Sequence, residues 1–228
     1  MWVLTNGVSV RSIAATSEAI DLWLNCAQSP NSDDVARLKK GLLPIALRLN
    51  PDVWGDLASS PPILDYVSSE LRCEVTEIAV LYPPAIRLRT GSAMSKVPPH
   101  RDSDYTGRPK EFVTAWIPLR GPKHLLGLDF WNPKGNSSDS TSVDSETPQG
   151  GLDGKVWRRA VDVLDGTCLP VRCAVTDAIL FREWEVHSTP DHDSQSSRLS
   201  VDFRYFRFSD TSDVPLWLPL SRQLCNSY

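Results

Sequence analysis

The chain has no long apolar run, no excess of positive charge, few histidines and few cysteines, and each shortage narrows what it can be. No stretch approaches the roughly 20 apolar residues of a membrane-spanning helix, so no membrane partner is expected. Lys and Arg number 24 against 28 Asp and Glu, for a net charge of -4. Nucleic acid and anionic lipid call for a basic field, so neither is expected as a partner. The opening Met1-Trp2-Val3-Leu4-Thr5-Asn6-Gly7 lacks a basic segment followed by an apolar one. It therefore does not resemble a secretory leader, and a cytoplasmic location is the expectation. The 5 cysteines are odd in number and scattered, and Cys168 and Cys173 do not have zinc-knuckle spacing. Reduced thiols in an intracellular protein are the reading that follows. No internal repeat is evident.

What is present fits one globular domain. A chain of 228 residues with 41% apolar and 23% charged content can bury a sizeable core. The first 73 residues read as helical. Ser17 can cap a helix over 17–27, in which Ile20, Trp23, Leu24 and Ala27 share a face. A second helix is expected after Asp33, and a third after Pro61-Pro62. From Glu74 to about position 208 the texture changes to short strands between Gly and Pro turns. These are expected near 74–81, 85–90, 97–102, 111–119, 125–131, 170–175, 178–182, 186–189 and 197–208, which suggests a sandwich or barrel. The segment 132–154 is almost all Asn, Ser, Asp, Thr, Pro and Gly. Such a segment is either a disordered insertion or a lid that orders over substrate.

The chemistry concentrates at Pro98-Pro99-His100-Arg101-Asp102 and at His187. The two prolines favour extension, and in an extended strand residues two apart share a face, which would aim His100 and Asp102 the same way. Two imidazoles and one carboxylate suit a ferrous ion held on one face with other positions open. Eleven residues past His187 begins Arg198-Leu199-Ser200-Val201-Asp202-Phe203-Arg204-Tyr205. Its alternation is strict, with Arg198, Ser200, Asp202 and Arg204 on one face and four apolar or aromatic side chains on the other. The polar face either meets solvent or lines a ligand site inside a barrel.

Together, His100-x-Asp102, His187 and Arg198 resemble the iron(II)/2-oxoglutarate-dependent oxygenases. Within them the chain is most similar to the phytanoyl-CoA-dioxygenase-like group, including enzymes of the streptomycin-biosynthesis type. Arg198-x-Ser200-x-Asp202-x-Arg204 looks like the closing motif of that set. Pro99-His100-Arg101-Asp102 and Val113-Thr114-Ala115-Trp116-Ile117-Pro118-Leu119 look like its metal strand and the next strand. The resemblance covers about 74–208. It implies a double-stranded β-helix, a jelly-roll or cupin-like fold with flanking N-terminal helices. It also implies Fe(II) on His100, Asp102 and His187, with O2 as oxidant. Arg198, with Ser200 and Thr114 beside it, would hold 2-oxoglutarate. The implied reaction is hydroxylation, desaturation or oxidative cyclisation of a small-molecule metabolite of amino-acid or natural-product type, releasing succinate and CO2. Asp102 counts against the related halogenases, in which a small residue replaces this carboxylate. After Leu128 the chain reads Asp129-Phe130-Trp131-Asn132 where the phytanoyl type carries a Gly-Ser-His-like segment, which counts against a coenzyme-A thioester.

On the substrate side, Arg87 and Arg89 share a strand face and either meet an anionic group or are ordinary surface arginines. Tyr105, Trp116, Phe130, Trp131 and Trp184 are candidate pocket walls or plain core. One of Glu183 and Glu185 could orient an iron-bound histidine from behind, but surface charge is the reading taken for both. Two readings from other classes stay open at this point, a cupin-like small-molecule-binding protein without turnover and a zinc-dependent hydrolase using the same ligands.

Overall fold

The computed structural model describes residues 1–26, 42–89, 97–103, 111–132, 143–148, 157–160, 168–190, 196–213 and 217–220. In chain order the elements are β1 (Trp2–Leu4), α1 (Val10–Cys26), α2 (Ile45–Arg48), α3 (Gly55–Ala58), α4 (Pro61–Leu71), β2 (Ile78–Leu81) and β3 (Ala85–Arg89). They continue with β4 (Val113–Arg120), β5 (Gly127–Phe130), β6 (Val143–Pro148), β7 (Trp157–Ala160), β8 (Leu169–Arg172), β9 (Ala178–Arg182), β10 (His187–Ser188), β11 (Arg198–Arg207) and β12 (Trp217–Pro219). No helix among the described residues is long and apolar enough to cross a membrane.

A 7-stranded antiparallel sheet carries the order β1-β9-β4-β11-β2-β12, with β3 also paired to β11. Its centre is β11, which has β4 along one edge and β3 then β2 along the other. A second sheet of 3 strands runs β10-β5-β8. The sheets face one another, because Trp116 of β4 and Ile179 and Phe181 of β9 pack with Leu128, Phe130 and Val171 of the smaller sheet. The outer face of the large sheet is covered by the helices. Leu199, Val201, Phe203 and Tyr205 of β11 bury there against Trp54, Leu57, Ile63 and Val67. The apolar face read from the alternation thus belongs to the helical layer, and the polar face looks into the space between the sheets.

Phe203 has no exposure and its ring lies 5.7 Å from that of Trp54. Phe203→Ala is expected to lower the unfolding free energy by about 3–5 kcal/mol, measured by chemical denaturation. A loss below about 1 kcal/mol would contradict a close-packed sheet–helix seam.

The sequence expectations meet the structure unevenly. The third helix and the strands near 85–90, 111–119 and 178–182 are found with small shifts of boundary. The first helix starts at Val10, not beyond Ser17, because Ser9 caps it and accepts the Ser12 N–H at 3.0 Å. At 74–81 the first residues close a 3-10 turn instead of a strand. The Glu77 side chain accepts the Glu74 N–H at 2.9 Å, and the strand begins only at Ile78. No strand forms over 97–102. His100 makes a single bridge to His187, with N–H to carbonyl distances of 3.0 Å both ways, and the chain then turns through Asp102. The helix expected after Asp33 lies outside the described residues. Within 132–154 the backbone of 143–148 pairs as β6 with β7, and the rest of that segment lies outside them apart from Asn132.

Candidate metal centre and anion pocket

His100 and His187 reach the site from paired backbones, and their ring centroids are 4.4 Å apart. Each Nδ1 faces a carbonyl oxygen, that of Pro98 at 2.8 Å and that of Glu185 at 3.0 Å. A carbonyl can only accept, so each Nδ1 carries the proton and each Nε2 presents its lone pair. Both Nε2 atoms turn toward Asp102 Oδ1, at 3.8 and 3.9 Å. The donor atoms of the three residues lie within 4.8 Å of one another, and all three residues are buried. Phe181 braces the His187 ring from 4.4 Å.

Asp102 is held from the far side by the large sheet. Arg204 donates from Nε to Oδ2 at 3.1 Å and from Nη2 to Oδ1 at 3.0 Å. Thr114 donates from its hydroxyl to Oδ2 at 2.8 Å. Burial opposes the charge of Asp102, but Arg204 and the two imidazoles outweigh it and hold the carboxyl well below its usual range. The group is therefore an anion at neutral pH, the form a divalent cation needs.

Arg198 is 2% exposed and lies over the Trp116 ring at 4.9 Å. Its Nη1 donates to the carbonyls of Leu125 and Gly127, both at 2.9 Å. Glycine at 127 makes this possible, since a Cβ there would come within 2.0 Å of the Val171 carbonyl oxygen and force β8 off β5. Among the described residues the remaining donors of the guanidinium, Nε and Nη2, have no partner, and neither has the hydroxyl of Ser200, two residues along β11 and not among the described lining residues. Burial pulls the Arg198 pKa down to about 10, so it stays charged at neutral pH. Buried, unmet donors on a cation are costly, and an entering carboxylate would satisfy them. Triad and arginine line one pocket.

The chain matches no family model, and no curated protein matches its sequence. Solved structures do match. EvdO2 from Micromonospora carbonacea var. aurantiaca, complexed with 2-oxoglutarate, is 18% identical with a TM-score of 0.61, over 90% of this chain and 85% of that one. The epimerase SnoN, in complex with Fe3+, alpha ketoglutarate and nogalamycin RO, is 17% identical with a TM-score of 0.57, over 90% and 78%. SnoK, a non-heme alpha ketoglutarate dependent carbocyclase from nogalamycin biosynthesis, is 13% identical with a TM-score of 0.55, over 90% and 78%. The fold is a double-stranded β-helix. At these identities the likeness speaks for the fold; the geometry of the site is this chain's own.

Inside the β-helix, the residues singled out in the sequence separate. His100, Asp102, His187, Arg198, Arg87, Thr114 and Trp116 line the pocket. Thr114, expected beside 2-oxoglutarate, spends its hydroxyl on Asp102. Arg87 is no surface arginine: it is buried and ion-paired to Asp202 at 2.9 Å, so its charge is already matched. Arg89 is buried opposite Arg198 across the β3–β11 pair and is not among the described lining residues. Phe130 backs the His187 ring from 6.1 Å. Trp131 donates from Nε1 to the Ser188 hydroxyl at 2.7 Å and so tethers β10. Trp184 is 56% exposed beneath the Arg182 guanidinium, outside the described pocket lining. Tyr105 lies outside the described residues. Glu183 is not a surface charge. It is buried, accepts the Phe112 N–H at 3.2 Å, and burial raises its pKa. Among the lining residues given no individual role in the sequence are Phe181, Asp202 and Arg204. For Arg204 the signal was available, since the alternation places it on the face of Arg198 and Ser200.

Proposed function

We propose that this chain is an Fe(II)- and 2-oxoglutarate-dependent oxygenase of the phytanoyl-CoA-dioxygenase-like group. It would oxidise a small-molecule metabolite of natural-product type by hydroxylation, desaturation or ring closure. One observation carries the reading: a His-Asp-His donor set shares its pocket with a buried arginine whose Nε and Nη2 have no partner among the described residues. A metal site alone would suit a zinc hydrolase, and an arginine alone a simple anion binder. Their combination fits a cation plus a carboxylate-bearing cosubstrate. Structural neighbours named for alpha ketoglutarate or complexed with it support the same reading, and their activities, epimerase and carbocyclase, leave the outcome of oxidation open.

In this reading His100, Asp102 and His187 hold the iron, and Arg198 with Ser200 receives the far carboxylate of 2-oxoglutarate. Bound Fe(II) with 2-oxoglutarate and O2 supplies an oxidant able to take hydrogen from carbon, with succinate and CO2 released. The protein's own part is to position and to exclude water. Pro98 and Glu185 carbonyls fix both imidazole tautomers, so no proton has to leave an Nε2 when a cation arrives. Trp116 and Leu128 give the cavity apolar walls, which strengthens the Arg198 interaction by keeping water from it.

Adding Fe(II) and 2-oxoglutarate without oxygen is expected to give a weak visible charge-transfer band, and admitting air to give succinate. Folded protein that takes up Fe(II) yet shows no band would remove the reading. Activity with zinc that ignores 2-oxoglutarate would favour the hydrolase instead.

A further inference from the structure

The triad supplies three donors, but the carboxylate of Asp102 has two oxygens, and they are treated differently. Oδ2 accepts from the Thr114 hydroxyl at 2.8 Å and from Arg204 Nε at 3.1 Å. An ionised carboxylate oxygen has two lone-pair sites, so both sites of Oδ2 are taken. Oδ1 accepts from Arg204 Nη2 at 3.0 Å and is the oxygen that faces both imidazoles. The two donors that claim Oδ2 are cross-strand partners, since Arg204 of β11 stands opposite Thr114 of β4 in the sheet register. Directly opposed side chains on one face meet at short range, so the register itself builds the clamp. Arg204 is 8% exposed and Thr114 1%, so neither readily turns away to water.

We propose that Arg204, together with Thr114, is a positioning residue that withholds Oδ2 of Asp102 from the metal and commits the carboxylate to bind through Oδ1 alone. This rests on the oxygenase reading. Its consequence is a count of ligand positions. A six-coordinate ion that took two imidazoles, one carboxylate oxygen and the keto and adjacent carboxylate oxygens of 2-oxoglutarate would keep one position open, whereas a chelating Asp102 would fill it. The clamp keeps that position available to a small diatomic molecule. It also assigns Thr114 to Asp102, not to the cosubstrate.

The test uses nitric oxide as a probe of the vacant position, on the full chain with Fe(II) and 2-oxoglutarate under anaerobic conditions. Its binding is followed by electron paramagnetic resonance. Wild type and Thr114→Ser, which keeps the hydroxyl, are expected to bind it alike. The double variant Thr114→Val/Arg204→Leu is expected to retain the charge-transfer band but lose about ten- to a hundred-fold in nitric oxide affinity. A double variant with the band and wild-type nitric oxide affinity overturns the proposal. Should that variant not fold, a crystal structure of the wild-type protein with Ni(II) and 2-oxoglutarate decides the matter. Oδ2 still on Arg204 Nε and Thr114 supports the clamp, and Oδ2 within bonding distance of nickel overturns it. Absence of the band in wild type would strike the oxygenase reading instead, and the nickel structure would still judge the clamp.

Discussion

Asp102→Ala is expected to abolish both the charge-transfer band and succinate formation, and to do so through charge more than through the loss of one ligand. Around this carboxylate stand Arg204, with two hydrogen bonds to it, and two imidazoles. Without Asp102 a divalent cation would have to enter a pocket presenting an uncompensated guanidinium in place of an anion. Removing one partner of a buried pair leaves the other buried and unpaired, a loss of about 3–5 kcal/mol in stability. The metal-free variant should therefore also be less stable. A second change separates the two effects. Asp102→Ala/Arg204→Met removes the stranded cation and is expected to recover most of the stability while recovering none of the band. The pH dependence has a definite sign. Because the folded-state pKa of Asp102 is depressed, its contribution is fully present above the ordinary carboxylate range near 4 and is lost as pH falls through the folded value. The metal-free wild type should lose more stability in acid than the double variant. An Asp102→Ala protein that keeps the band with unchanged Fe(II) affinity would refute the assignment of the triad.

The sequence revealed the parts of this site that a local pattern encodes. Alternation along β11 predicted two faces, and both have their use: Leu199, Val201, Phe203 and Tyr205 meet the helices, while Arg198, Asp202 and Arg204 line the pocket. The triad was legible because its residue types are rare in combination and their spacing resembles a known arrangement. Features that depend on contacts distant in the chain stayed hidden. Arg204 was visible on the correct face, but its partner Asp102 is separated from it by 102 positions, and nothing in either segment announces the pair. Pro98-Pro99 favoured extension, yet a strand needs a ladder, and 97–103 finds only one bridge, at His187, before Arg204 and Thr114 take Asp102 at a turn. The three residues of β1 are too few to show a period, and they pair with β9 across the length of the chain. Composition argued against order in 132–154, but a backbone ladder such as β6–β7 does not need apolar side chains to form its hydrogen bonds. Trp184 misled for a related reason. Aromatic character alone does not say which way a side chain points, and this one lies under Arg182 at the surface.

Arg198→Lys is the second large effect expected. A lysine ammonium can keep the positive charge near the pocket but cannot hold the Leu125 and Gly127 carbonyls with one nitrogen while offering two further N–H groups in a fixed fork. A hydrogen bond to a charged group contributes about 1.5–3 kcal/mol, so losing one of the pair should weaken 2-oxoglutarate binding about ten- to a hundred-fold. Arg198→Met, which removes the charge, should weaken it further. Fe(II) binding should be nearly unchanged in both variants, since Arg198 has no described contact with His100, Asp102 or His187. That split distinguishes an anchor for the cosubstrate from a residue that merely supports the pocket, whose loss would lower metal and cosubstrate affinity together. The burial that pulls the Arg198 pKa down to about 10 points the same way. A guanidinium kept at 2% exposure with two donors unmet among the described residues is unfavourable on its own, and a carboxylate that meets those donors recovers the loss only when bound. Saturating 2-oxoglutarate with Fe(II) should accordingly raise the melting temperature of wild type more than that of either variant. Equal 2-oxoglutarate affinity in wild type and Arg198→Met would show that the dicarboxylate is held elsewhere.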